Sequence, residues 1–504
     1  MSSDLRKKLS EKYKLVFFGD LADVCDQHGS AFRLFKLLHK EHLEADERIV
    51  FYSSQRPSLK LLNHLQRAAS KIDISNFFIV ICGPYDITDD LQQANKNYGY
   101  DNTSISWYYF DIKPSQELID KNIYISDSWC PAPFNSLNDT FELDSKVAPC
   151  CKYQGTLGDL TNQTLSDIMK GDKAVALRDQ FKQGIKPTEC NVCWQIESVG
   201  STSLRQHLLN KDEELLDLKY IDTPGVQIFS TDLGSVCNFK CRICNSFSST
   251  AIAAEEMRYT TNKADKKALL TRIQNTGVVD FDKFLNTINP VLANLEMLHM
   301  LGGEPLLAKN FIPLLDFIIE SNHSYHIKVH INTNASVWND NLIDRLVKFQ
   351  GVEMLLSIDD IEKRFELQRG GDWAVVAQNI QKWANLRSEN FIVKISPTVN
   401  IQNVFYLDHL LNYCQKFNFE LVWNYLENPK SCCIDNMTDT AKQLIYNKYV
   451  NHPEKELKQI AHRMKKTKAV SGAAFLNLMK ELDVKRATNF PEAHSEIINA
   501  MENR

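Results

Sequence analysis

Three of the chain's thirteen cysteines share one loop, at a spacing that suits a metal cluster. In STDLGSVCNFKCRICN, Cys237, Cys241 and Cys244 are arranged C-x3-C-x2-C. Thiolate is a soft ligand, and three of them can hold a four-iron cluster by three of its corners. The fourth iron then has no protein ligand and is open to a chelating molecule. Zinc is the competing reading, but structural zinc takes a closed set of four ligands, usually from C-x2-C pairs. No fourth Cys or His stands close to this trio in the sequence.

A second set lies upstream. Cys130 begins CPAPFNSL, Cys150 and Cys151 end KVAPCC, and Cys190 and Cys193 form CNVC. Four such thiolates could close a zinc ribbon or hold a fully ligated iron–sulfur cluster. The text between them, LGDLTNQTLSDIMKGDKAVALRDQF, reads as a turn followed by a helix. Cys25, Cys82 and Cys414 stand alone in apolar surroundings, as buried small hydrophobes do. A thiol in ENPKSCCIDN (Cys432, Cys433) could return a hydrogen atom to a substrate radical, but a loop or core role is expected for the pair.

The elements that must position these loops are legible as periodic runs. From about residue 224, strand candidates recur: Val226–Ser230, Leu295–Leu301, His326–Asn332, Val352–Ser357, Phe391–Val399 and Phe419–Tyr425. Helical patterns such as Phe311–Ile319, Leu342–Phe349 and Val375–Trp383 lie between them. Six βα units predict a parallel, partly closed barrel with its active site at the C-terminal strand ends. The cysteine trio follows the first strand, LGGEP the second, Thr333-Asn334 the third and Ser357-Ile358-Asp359 the fourth.

The first 122 residues predict a small α/β domain, with strands at Lys14–Phe18, Arg48–Tyr52, Asn76–Cys82 and Ser104–Phe110 and helices at Ala31–His42 and Ser58–Ala69. It has no GxGxxG after its first strand, so a dinucleotide site is not supported. Residues 436–504 read as a charged covering helix pair or a lid, most amphipathic over Glu454–Lys466.

With 504 residues, 43% hydrophobic and 24% charged, the chain has the composition of a soluble globular protein of several domains. A formal charge of −5 gives no basic field for nucleic acid. No signal-peptide core and no membrane-length apolar run is present, so a cytoplasmic protein with metal or catalytic cysteines, rather than disulfides, is expected.

The trio with LGGEP, SID, TN and QRGG resembles the radical S-adenosylmethionine (SAM) superfamily. The resemblance implies a [4Fe–4S] cluster on Cys237, Cys241 and Cys244, chelated by SAM at its open iron. It implies SAM contacts from Gly302, Gly303, Glu304 (to the methionine ammonium), Thr333, Asn334, Ser357, Asp359 and Arg369 (to the carboxylate). Three positions depart from the family pattern: Ile243 stands where an aromatic residue usually precedes the last Cys, and Ala335 and Asp360 replace glycines.

The upstream set, with C-x2-PF, PCC, LGDL, LR and C-x2-C, resembles the twitch/SPASM auxiliary-cluster module. That resemblance implies a second [4Fe–4S] cluster on Cys130, Cys150, Cys190 and Cys193, with the part of Cys151 open. The module usually follows the barrel and here precedes it. The layout implied is 1–122 α/β domain, 123–218 auxiliary module, 219–435 partial (βα)6 parallel barrel and 436–504 helical tail.

Such a protein would cleave SAM reductively to a 5′-deoxyadenosyl radical that abstracts a substrate hydrogen, with electrons from a flavodoxin or ferredoxin. A peptide or peptidyl side chain is the expected substrate. A sugar or aminocyclitol dehydrogenase or rearrangement enzyme, or a non-catalytic Fe–S or zinc scaffold, are the alternatives.

Overall fold

The computed structural model describes residues 128–140, 146–198, 203–211, 224–274 and 280–502, together with three short upstream strands. By its contacts the chain divides into two compact units: residues 1–138 with 146–226, and residues 139–145 with 227–504.

The upstream strands β1 (Leu15–Phe18), β2 (Arg48–Tyr52) and β3 (Phe78–Cys82) form a parallel sheet in that order, with Leu15 opposite Ile49 and Val50 opposite Val80. They coincide with three of the four strands expected there. Ser104–Phe110, both expected helices and Cys25 lie outside the described residues.

Within the same unit, β4 (Lys146–Ala148) and β5 (Gly158–Asp159) pair antiparallel. The expected turn and helix is a turn and two helices, α1 (Leu165–Lys170) and α2 (Asp172–Lys182). Thr164 and Asp167 close a capping box at the start of α1, satisfying N–H groups that the first turn leaves free. Gly171, in extended conformation, separates the two helices. Helices α3 (Asn191–Ser198) and α4 (Leu204–Lys211) follow.

The second unit is built on five parallel strands in sequential order: β6 (Ile228–Asp232), β7 (Met297–Leu301), β8 (Lys328–Thr333), β9 (Gly351–Leu356) and β10 (Phe391–Ile395). Their side chains alternate between two faces. Phe229, Leu298, Val329, Met354 and Val393 are buried on one face. The connecting helices include α5 (Thr250–Tyr259), α6 (Phe311–Glu320), α7 (Asp340–Leu346), α8 (Glu362–Arg369) and α9 (Trp373–Asn385). Their buried sides carry residues such as Leu314, Ile318, Val376 and Ile380. This is the expected α/β fold with a parallel sheet.

The last two expected strands are shorter than the sequence suggested. The run Phe391–Val399 is split into β10 and β11 (Thr398–Val399), and β12 (Asn424–Tyr425) is all that forms from Phe419–Tyr425, paired parallel to β11. Pro397 stands at the break; it has no N–H for a ladder, although its carbonyl accepts from Asn424 N at 3.0 Å.

The tail is four helices rather than a pair: α10 (Asp439–Tyr449), α11 (Lys455–Lys466), α12 (Ala473–Arg486) and α13 (Ser495–Glu502). Leu457, Ile460, Phe475, Met479 and Ile497 share one apolar core with Val399, Ile401, Val404 and Leu407. Cys432 belongs to that core and Cys433 is buried too, in line with the core role expected of them, and Cys414 is fully buried. Among the described residues no helix is long and apolar enough to cross a membrane.

Candidate cluster and cofactor site

The loop after β6 carries Cys237, Cys241 and Cys244, and the GGE turn after β7 is built to seat it. Gly302 has φ +116°, and a Cβ there would collide with the Asp232 carboxylate and the Gly234 carbonyl. A Cβ on Gly303 would meet the Val236 carbonyl. The turn's amides bind the same loop: Gly303 N donates to Gly234 O at 3.1 Å, and Glu304 N to Val236 O at 2.7 Å. The close approach that the two glycines permit is therefore to the cysteine loop's own backbone.

Glu304 is buried and ties the turn after β7 to the end of β8. Its Oε1 accepts from Thr333 Oγ1 at 2.6 Å and Leu306 N at 3.2 Å, and its Oε2 from Asn334 N at 2.6 Å. Burial pushes its carboxyl up from the ordinary range, against the pull of these donors. Asn334 reaches back over the loop, with Nδ2 3.0 Å from Asn238 Oδ1 and 3.9 Å from Cys237 Sγ. Ala335, standing where a glycine was expected, is held at φ +60°, with its carbonyl accepting from Asn379 Nδ2 at 2.9 Å.

Ser357 follows β9, its N–H donating to Thr333 O at 2.8 Å. Asp359 is buried and doubly engaged: Oδ2 accepts from Arg369 Nη1 at 2.6 Å and Oδ1 from Thr398 N at 2.8 Å. Asp360, in the other glycine position, is completely buried; it accepts from Arg364 Nε and from Gln368 Nε2 at 3.1 Å, and so ties the SID turn to α8.

The end of α8 also pairs with the cysteine loop: Lys240 N donates to Arg369 O at 3.2 Å, and Arg242 N to Gln368 O at 2.8 Å. The Phe239 ring occupies the space a Cβ on Gly371 would need.

Arg369 is consequently set among the trio. Burial works to lower its pKa, but the Cys241 and Asp359 charges outweigh it and hold the guanidinium protonated. Burial pushes the Cys241 thiol up to about 12 and raises Cys237 and Cys244, with the Arg369 charge opposing in each case. Arg369 Nε is buried and finds no partner among the described residues. A buried N–H donor left open beside three thiols fits a site that takes an acceptor group next to a metal cluster.

The upstream cysteines converge as well. Cys130, Cys150, Cys190 and Cys193 line one hollow with Tyr153 and Arg205, whereas Cys151 is exposed and outside it. Burial pushes Cys130 and Cys190 up to about 12 and raises Cys150, so these thiols stay protonated until a metal displaces the protons. Among the described residues no three His, Cys, Asp or Glu side chains are gathered as a single metal ion would require. A four-iron cluster, held at its corners, sets its ligands farther apart.

Sequence reasoning missed Arg205 and a polar row in the parallel sheet. Arg205, its side chain almost wholly buried, donates to Trp129 O at 2.8 Å and forms a bidentate pair with Glu197. The row is in register across four strands on the face opposite Phe229: Ser230, His299, His330 and Glu353. His299 lies 3.4 Å from Ser230 Oγ and 3.2 Å from Asn332 Nδ2, His330 Nδ1 is 2.7 Å from Glu353 Oε2, and Lys394 pairs with Glu353 at 3.5 Å. The signal was present in part, in the polar–apolar alternation of KVHINT and the lone histidine of MLHML.

Two family models match the chain. That of the radical SAM superfamily covers residues 232–413, and that of the SPASM iron–sulfur cluster-binding domain covers residues 130–194. No curated protein matches. Among solved structures the chain is similar to native anSMEcpe with bound AdoMet (16% identity, 44% of this chain and 59% of that one, TM-score 0.33). It is similar to Streptococcus suis SuiB bound to its precursor peptide SuiA (16%, 62% and 64%, TM-score 0.32). A third is the methyltransferase TsrM from Kitasatospora setae with cobalamin and a [4Fe–4S] cluster (10%, 82% and 72%, TM-score 0.29). The chain spans less than two thirds of the length of the first two.

A domain of the first kind holds a [4Fe–4S] cluster and SAM, and one of the second kind an auxiliary iron–sulfur cluster. The cysteine loop, the GGE turn and Arg369 all fall inside the first match, and the four-cysteine hollow inside the second apart from Arg205 and its neighbours. By these two matches the chain carries a radical SAM domain over residues 232–413 and, ahead of it, a SPASM iron–sulfur cluster-binding domain over residues 130–194.

Proposed function

We propose that this chain is a radical SAM enzyme that modifies a peptide or peptidyl side chain. Cys237, Cys241 and Cys244 hold the SAM-binding [4Fe–4S] cluster, and Cys130, Cys150, Cys190 and Cys193 hold an auxiliary one. β6–β10 with β11 and β12 make the partial (βα)6 barrel of a domain over residues 219–435, with an auxiliary module at 123–218, a helical tail from 436 and a separate α/β domain before residue 123. When bound, the cluster and SAM supply a 5′-deoxyadenosyl radical able to abstract a substrate hydrogen.

The observation that carries this reading is the open Nε of Arg369. In this role its guanidinium receives the SAM carboxylate while Asp359 fixes its plane. Glu304 uses three of its roughly four acceptor positions on the protein, which leaves one on Oε2 for the methionine ammonium. Thr333 and Asn334 hold that carboxylate in place and, with Ser357, line the pocket. The polar row of Ser230, His299, His330 and Glu353 offers hydrogen bonds to a polar backbone, as a peptide substrate would need.

An electron donor of the flavodoxin or ferredoxin class serves the SAM cluster. Anaerobic reconstitution tests the proposal: 5′-deoxyadenosine should form from SAM and dithionite. No product from a chain holding about eight iron atoms, two four-iron clusters' worth, would overturn it.

A further inference from the structure

Beyond the matched domain, the tail helices reach the cysteine loop through buried arginines. Arg242, between Cys241 and Cys244, has no solvent-exposed side-chain surface. Its Nε donates to Leu367 O at 2.8 Å, while its Nη1 reaches Met479 O at 3.2 Å. Its Nη2 binds Asp483 and, at 2.8 Å, Thr488 Oγ1, and the guanidinium lies 4.9 Å over the Phe490 ring. Arg486, at the end of the same helix α12, donates to Lys240 O at 2.7 Å and pairs with Glu255 at 2.8 Å; Glu255 in turn pairs with Lys240. A third tie runs from His494 to Gln368, the residue beside Arg369, at 3.1 Å.

These contacts converge on the loop residues between the thiols and on the backbone that carries Arg369. A buried charge whose donors are all bonded fixes a segment more tightly than apolar packing does, because each broken bond leaves a desolvated group unpaired. Exposed surface helices do not spend two arginines in this way.

We infer that residues 473–494 are a working part of the cluster site, with Arg242 and Arg486 as positioning residues that set the cysteine loop and, through Gln368, the Arg369 backbone. The inference rests on the radical SAM reading above and assigns the tail a part in it that neither domain match covers.

The test uses the full reconstituted chain. The reduced cluster's EPR signal and its change on adding SAM are measured for wild type, R242Q, R242K and R486Q, beside R463Q. Arg463 makes a comparable bidentate pair with Asp435 but touches neither the loop nor α8. R242Q and R486Q should alter the EPR signal and weaken SAM binding about tenfold, the scale of one lost charge-assisted bond. R242K should recover part of the loss, and R463Q should behave as wild type.

If R242Q fails to fold, R486Q, whose contacts are partly exposed, decides the matter. Unchanged EPR and SAM binding in a folded R486Q or R242Q, or equal losses in R463Q, would overturn the inference. A wild-type chain whose cluster does not respond to SAM would overturn the functional reading itself and the inference with it.

Discussion

Arg369 and Asp359 form a buried ion pair, Nη1 donating to Oδ2 at 2.6 Å, where the end of β9 and the end of α8 meet the cysteine loop. Asp359 is 2% exposed at its side chain and Arg369 11%, so neither charge can be satisfied by water once its partner is gone. Removing one member of such a pair leaves the other uncompensated. D359A should therefore cost about 3–5 kcal/mol in denaturant unfolding. It should also abolish SAM binding, whereas D359N, which keeps a hydrogen-bond acceptor, should lose less on both counts.

The glycine turn makes a sharper forecast. G302A places a Cβ at positive φ and against the cysteine loop at once. The strain, on the order of 1–3 kcal/mol, should be relieved by displacing that loop. Iron analysis should then fall from about eight to about four per chain, with the upstream cluster retained. Equal loss from both sites would show that the damage is general rather than confined to the loop.

Cys150 and Cys151 are neighbours in sequence, but only Cys150 lines the upstream hollow. C150A should lower the iron content by about four atoms or leave a degraded cluster, whereas C151A should keep the full complement. Absorbance near the charge-transfer bands and iron quantification distinguish the two variants directly.

Asp360 supplies a pH test. Burial pushes its carboxyl up to about 7, against the Arg364 charge, from an ordinary value of 3.8. Between those limits the folded chain keeps a proton that the unfolded chain has released. Its contribution to stability is therefore lost as pH rises through that window, and is level on either side of it. D360N has no such proton. The melting temperature of D360N minus that of wild type should climb from about pH 4 to about pH 7 and then flatten; a difference that stays constant would contradict the assignment.

How far the fold could be read depended on how local the physics was. β6 to β9 were legible because strands of a helix-covered parallel sheet read as short, nearly continuous apolar runs, as in MLHML and GVEMLL. The sixth strand was over-read, since Phe419–Tyr425 is suitably apolar but faces a partner strand broken at Pro397. The motif residues were legible by type, yet their division of labour was not. Only the folded structure shows that Gly302 and Gly303 make room for the cysteine loop, or that Asp360 braces α8. His299 and Glu353 were easy to overlook because each stands alone in an otherwise apolar strand, MLHML and GVEMLL, and only their register with Ser230 and His330 shows the row. Arg242 was beyond sequence reasoning for another reason: its partners Met479 and Asp483 lie some 240 positions away.

That distance has a consequence for how the protein is made. The loop between Cys241 and Cys244 is translated long before Asp483, Arg486 and Thr488 exist, so until then the guanidinium of Arg242 stays in water, and even Leu367 O emerges more than a hundred residues later. A nascent chain therefore presents its cysteines on an unbraced segment, and the brace arrives only with α12, some 240 residues later. Iron delivered before that moment meets a pliable loop, and iron delivered afterwards meets a finished one.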